Sequence, residues 1–167
     1  MDTAIRQQIQ VPMEALALAT RGIRGCLLAT ADGVSIMHHD LEQQNEALAA
    51  LSASSLGIGR SVTEVGDCGQ LEELCFKGVD GWISVVAVGN RAVLTTVAHE
   101  GCNIGMVLYY TRKYADEILE ILDPEQARER EEASYEQEDD HGSMKVALRA
   151  LAALDKPQPV EETVEPL

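Results

Sequence analysis

Four histidines, four cysteines and one short glycine-bearing run are the residues of this chain whose types could do chemistry. His38-His39-Asp40 invites a reading as a metal site or an acid–base group; His99 and His141 stand elsewhere. Adjacent residues at a strand end point to opposite faces, so the two imidazoles cannot easily share one ion. Cys68 and Cys75 are seven residues apart, no Cys-x-x-Cys pair occurs, and no His pair matches them. That is poor zinc spacing, and thiols acting as small core hydrophobes are the simpler reading. Gly57-Ile58-Gly59-Arg60-Ser61-Val62 begins like a dinucleotide fingerprint, but Val62 stands at the third glycine position and the run lies inside a helical pattern. No glycine-rich loop closes in Gly-Lys-Ser/Thr, and no serine sits in a Gly-x-Ser-x-Gly elbow. The acids concentrate in the C-terminal tail, where solvated charge is the default. No catalytic residue, metal or cofactor is expected. A chain with a well-specified core and no chemistry is read as an interaction module.

The elements must then supply the function. A chain of 167 residues makes one domain with extensions, or at most two small ones. It is 46% hydrophobic but only 4% aromatic, so the core must be aliphatic. A formal charge of −15 argues against nucleic acid and anionic membrane surfaces and leaves basic protein partners open. No stretch approaches the roughly 20 apolar residues of a membrane span. The opening MDTAIRQQIQ has no basic start followed by an apolar run, so no signal peptide is expected. A cytoplasmic setting follows, with reduced thiols.

Leu41 to Gly66 is the stretch around which the chain is organised. Leu41, Leu48, Leu51, Ile58, Val62 and Val65 recur at steps of three, four and seven, one stripe of a helix. Ala47, Ala50, Ser54, Gly57 and Ser61 form a second stripe, roughly 120° round at about 100° per residue. The large stripe is expected to lie on a core. The small one would let another backbone approach, and a helix that accepts two interior glycines at about 1 kcal/mol each has a packing reason. A twin helix from a second copy of the chain is that reason; a loosely packed Ala/Ser-rich surface helix is the alternative.

Residues 3 to 21 read as a helix with Ile5, Ile9, Met13, Leu16 and Leu18 on its apolar side. Pro12 predicts a kink there, or a helix beginning at that residue. IRGCLLAT and VSIMHH, joined through Asp32-Gly33, read as a hairpin. Asp40 is placed to cap the long helix. Gln70 to Lys77 is a polar, alternating strand; Trp82 to Val88 and Ala92 to Ala98 are nearly continuous apolar runs. Such runs are buried on both faces, so helices must cover both sides of the sheet. Asn103 starts a final helix that ends before Pro124. The order α-β-β-α-β-β-β-α predicts an α+β fold. Residues 1–123 form the domain. Residues 124–167 read as an acidic flexible extension, with a short amphipathic helix near 143–154 bearing Met144, Leu148, Leu151 and Leu154.

The chain resembles the roadblock family of dynein light chains and their prokaryotic relatives, including the MglB type that partners small Ras-like GTPases. The resemblance is carried by Asp32-Gly33-Val34 at the hairpin, the small-residue-rich helix 41–66, Gly81 opening the fourth strand, and Cys102-Asn103-Ile104-Gly105-Met106 entering the last helix. It runs from about residue 10 to 122. Pro12 and Gly57-Ile58-Gly59 depart from the pattern. The resemblance implies a five-stranded antiparallel sheet with one helix on one face and two on the other. It implies a homodimer joined through the long helices and the third strands, with Ala47, Ala50, Ser54, Gly57, Ser61, Leu71, Glu73 and Cys75 at the contact. The paired helices would then be a platform for a small Ras-like GTPase, on which binding shifts the nucleotide-state population. The flank expected to meet that partner carries Glu42, Glu46, Ala49, Ala53, Leu56, Arg60 and Glu64. Arg60 as an arginine finger competes with a plain exposed arginine. Leu56 is expected to stand in solvent. An adaptor subunit of a larger motor or signalling assembly is the second functional reading. The tail helix is expected to be a tethered ligand for the partner.

Overall fold

The computed structural model describes residues 3–41 and 45–132. Its elements are α1 (Thr3–Ala19), β1 (Ile23–Thr30), β2 (Ser35–His39), α2 (Asn45–Val65), β3 (Glu73–Gly78), β4 (Gly81–Val88), β5 (Ala92–His99) and α3 (Ile104–Leu122). This is the order the periodicities predict. The strands form one antiparallel sheet in the order β2-β1-β5-β4-β3. The fold is α+β, with α1 and α3 on one face and α2 on the other.

The apolar runs of β1, β4 and β5 fill both cores by simple alternation. Cys26, Leu28, Val86, Val88 and Leu94 point under α1 and α3, among Ile9, Met13, Leu16, Ala115 and Ile118. Leu27, Ala29, Val85 and Val93 point under α2. The buried Thr111 hydroxyl on α3 donates to the Thr96 hydroxyl of β5 at 2.9 Å, giving the covered face one side-chain hydrogen bond between polar partners.

Four local expectations need correction. α1 is one helix from Thr3 to Ala19 with Pro12 inside it, so it does not begin at that residue. The lost amide, which costs about 3 kcal/mol in an exposed helix interior, is offset by burial of the ring against the domain. Asp40 does not stand at the described start of α2. It has a left-handed backbone (φ 53°), and its carboxylate lies 3.4 Å from His39 Nε2. Of the four thiols only Cys26 is a core residue; Cys68 and Cys75 are exposed and Cys102 is half-buried. The Cys26 thiol donates to the Met13 carbonyl at 3.4 Å and is pushed up to about 12, first by burial and then by the charge of Asp40.

The segment after α3 is also more ordered at its start than its composition suggests. Residues 124–127 are helical, Asp123 Oδ1 accepts from the Gln126 amide at 3.2 Å, and Gln126 Oε1 accepts from the Asn90 amide at 3.0 Å. Ala127 packs on the core beneath α3. These fixed partners repay the ordering that charge alone could not. The chain divides into two units, Met1–Ala127 and Arg128–Leu167. In the second, residues 128–132 are helical. The expected tail helix at 143–154 lies outside the described residues, as does Glu42.

Candidate functional site

The surface most in need of a partner runs along α2. Against the sheet this helix places Ala49, Ser52, Leu56 and Gly59, all buried. Ala49 meets Leu27 and Ala29, and Leu56 meets Val85 and Val93. Gly59 is small for a reason: a Cβ there would stand 2.8 Å from Leu71 Cδ2 and 3.0 Å from Leu74 Cδ2. Large side chains on the strands thus leave room only for small ones on the helix, apart from Leu56.

That packing reverses part of the sequence reading. Leu56, expected in solvent, is 3% exposed; Ala49 is fully buried, and Ala53 is half-buried against the same core. None of the three is available on an outer flank, where only Glu46, Arg60 and Glu64 of the expected partner-binding set remain exposed among the described residues. Conversely, the stripe of large residues is expected on the core, and only Leu41 and Leu48 reach it, half-buried. Leu51, Ile58, Val62 and Val65 are 65%, 66%, 64% and 89% exposed. The small stripe lies beside them on the outer face: Ala47, Ala50, Ser54, Gly57 and Ser61 are all exposed. Nothing lies within 4 Å of where a Gly57 Cβ would stand. Both stripes therefore look outward, and together they make one apolar helix face.

Two turns fix the ends of this face. In the β1–β2 hairpin, Gly33 has φ 87° and its missing Cβ would meet Ala50 Cα at 2.8 Å, so the turn closes directly against α2. The Thr30 side chain holds the neighbouring Asp32 carboxyl below its usual range, with its own backbone amide adding to the effect. At the other end, Leu71 and Leu74 tie the entry of β3 to α2.

β3 is the end strand of the sheet on that side, paired along its whole length with β4 and with no other described strand. Phe76 is 44% exposed, Cys75 is exposed, and Leu71 and Glu73 are half-buried. Arg112 of α3 brings Nε to 3.3 Å from Glu73 Oε2. The approach is an ion pair without hydrogen-bond alignment, since that oxygen has no hydrogen-bond partner. Burial, then Glu73, then Cys102 push the Cys75 thiol above its usual value, so it is a poor nucleophile. Lys77 Nζ sits 5.1 Å from the Trp82 ring centroid, across the β3–β4 pair.

Residues 13–98 match the model of the Roadblock/LC7 domain. The chain is a member of the Roadblock/LC7 family. The same fold appears in solved structures at low identity. A Roadblock/LC7 domain from Streptomyces avermitilis shares 19% identity at a TM-score of 0.63, over 67% of this chain and 95% of that one. The gliding protein MglB from Thermus thermophilus shares 18% at 0.66, over 72% and 93%. Myxococcus xanthus MglB shares 17% at 0.67, over 74% and 93%. A comparison with curated protein sequences finds no significant match. Among the described residues of this Roadblock/LC7 chain, no group of three His, Cys, Asp or Glu is placed to hold a metal ion, and no helix is long and apolar enough to cross a membrane.

Asn103, expected to start α3, is its N-cap, with the side chain accepting from the Met106 amide. What sequence reasoning missed is the outward direction of Leu51, Ile58, Val62 and Val65. Their period is correct for a buried stripe, and period alone does not say which of two apolar sides meets the sheet.

Proposed function

We propose that this Roadblock/LC7 chain is a non-enzymatic homodimeric platform that binds a small Ras-like GTPase and modulates its GTP/GDP state. The observation that carries this reading is the outer face of α2. Four large aliphatic side chains stand in water there, beside a run of Ala, Ser and Gly, on a helix whose inner side is already satisfied. A second copy laid along that face would remove the aliphatic row from water, at about 25 cal/mol per Å² of apolar surface. The free rim of β3 gives the same partner a row of backbone donors and acceptors. The contact would include Ala47, Ala50, Ser54, Gly57 and Ser61, with Leu71, Glu73 and Cys75 at the strand, and would extend to Leu51, Ile58, Val62 and Val65. Glu46, Arg60 and Glu64 border the face and are offered to the GTPase. The likeness to MglB structures supports the fold on which such a platform would be built.

With no catalytic group assigned to the chain, its effect on a GTPase would be conformational, by preferring one nucleotide state. The test is light scattering followed by co-purification with a Ras-like GTPase loaded with GDP or a GTP analogue. A mass of two chains and state-dependent retention are expected. A single-chain mass at high concentration would remove the platform. Retention that ignores nucleotide would favour a scaffold without regulation, and absence of retention the adaptor-subunit reading.

A further inference from the structure

The side chains of β3 are ordered along the strand. Its register with β4 runs unbroken from Glu73 to Gly78, so they alternate strictly between the two faces. Glu73, Cys75 and Lys77 lie on the α3 face, where Glu73 approaches Arg112 and Lys77 sits over the Trp82 ring. Leu74 and Phe76 lie on the α2 face, where Leu74 packs on the core of Leu56 and Val85. One row therefore reads acid, thiol, base, and the other holds two large apolar side chains.

The acid is short of a partner. Glu73 Oε2 is buried and accepts no hydrogen bond, although Arg112 Nε stands 3.3 Å away. A buried carboxylate oxygen calls for a donor. Lys77 is exposed in the same row, but at about 3.3 Å per residue it stands about 13 Å along the strand. The two charges cannot meet within one copy of β3.

They can meet between two copies. When identical antiparallel strands pair about a two-fold axis, one residue opposes itself, and if i opposes j then j opposes i. Opposed side chains also share a face. With Cys75 on the axis, Glu73 of each copy faces Lys77 of the other, and Leu74 of each faces Phe76. Opposite-charge and aromatic–aliphatic pairs are those that stabilise a sheet. With Phe76 on the axis, Lys77 would oppose Cys75, Leu74 would oppose Gly78, and Glu73 would fall opposite Val79, beyond the strand. With Leu74 on the axis, Glu73 would oppose Cys75, while Phe76 and Lys77 would fall opposite residues 72 and 71, ahead of the strand. Only the register centred on Cys75 satisfies both rows.

We propose that the β3 strands of two copies pair with the two-fold axis at Cys75, and that the reciprocal Glu73–Lys77 pairs make this chain select its own copy over other Roadblock/LC7 chains. The inference rests on the homodimer reading above and adds the register and the residues that enforce it. A partner without an acid and a base four apart in this row leaves a charge unmatched or sets like charges together, which costs it affinity.

Charge reversal, read as mass by light scattering along a dilution series of the full chain, tests the pairing. Glu73→Lys opposes lysine to lysine at both pairs, and Lys77→Glu opposes acid to acid. Each should weaken self-association at least about tenfold. Mixed in equal amounts, the two variants are complementary again and should form a mixed two-chain species as strong as the parent. A chain carrying both substitutions should pair with itself. Rescue by mixing separates lost pairing from lost folding, because each chain keeps its own substitution. The axis has a mark of its own. Opposed Cα atoms are about 5 Å apart, inside the span of a disulfide. With Cys68→Ser and Cys102→Ser in place, diamide should therefore join two copies through Cys75, taking up the two thiol hydrogens as the S–S bond forms. A two-chain parent whose variants are not rescued by mixing, or whose copies diamide leaves unjoined, overturns the register while the platform reading stands. A parent that is a single chain overturns both.

Discussion

The two rims of the sheet are built by different rules. β3 pairs with β4 in unbroken register over six residues, carries a half-exposed Phe76, and borders an α2 face whose large aliphatic residues stand in water. β2 has five residues, a register shift, and a guanidinium over one of its carbonyls. A regular open strand is a template for a further strand, whereas a bulge and a covering helix spoil one. Among the described residues one rim is left available and the other is closed. The difference teaches that an edge can be finished by a bulge and a covering helix, as at β2, or left open beside an exposed apolar helix face, as at β3 and α2.

The largest effect should come from placing charge in the available surface. Ile58→Asp with Val62→Asp changes two exposed side chains, so folding should survive with an unchanged circular-dichroism spectrum. Self-association should weaken at least about 100-fold, or about 3 kcal/mol. A two-chain mass that persists would separate α2 from the contact and break the comparison. Next, Gly59→Val forces side-chain atoms into the space of Leu71 and Leu74 and should destabilise the domain by about 1–3 kcal/mol, read as a lower Tm. A Tm that stays put would mean the entry of β3 yields freely, and that the rim is less fixed than its register suggests.

At the closed rim the expected cost is smaller. Arg6→Ala removes one hydrogen bond from a charged donor and should lower stability by about 1–2 kcal/mol. Gly57→Ala sharpens the open side by its sign. In an isolated chain it should stabilise by about 0.5–1 kcal/mol, since space is free there. If another backbone lies against it, the same change should weaken association instead, and titration of mass against concentration distinguishes the two. The smallest effect concerns the thiols. Cys26 should resist labelling in the native state while Cys68 reacts, and Cys75 should react faster in the Ile58→Asp/Val62→Asp protein than in the parent. Because the folded Cys26 value of about 12 lies above its ordinary 9.0, the unfolded chain loses that proton first. Stability should therefore fall as pH rises from about 9 towards 12.

Much of the fold was legible in the sequence because its signals are local. The Asp32-Gly33 turn, the two-sided apolar runs of β1, β4 and β5, and the Asn103 cap each act within a few residues, and each stands where the pattern puts it. The site was less legible. Ala47, Ala50, Ser54, Gly57 and Ser61 do lie outward, but Ala49, Ala53 and Leu56, expected on a solvent flank, face the sheet. The rule that large apolar residues go inside failed on α2. Its inner space was already occupied by Leu27, Val85, Val93, Leu71 and Leu74.

The sequence by itself determined the element order and the two-sided core, because periodicity and turn chemistry are properties of neighbouring residues. Only the tertiary structure decided which side of α2 meets the sheet and which rim stays open. Those outcomes depend on the volumes contributed by distant strands and on the docking of α1 over β2, and no local pattern along the chain encodes how much room a distant strand leaves.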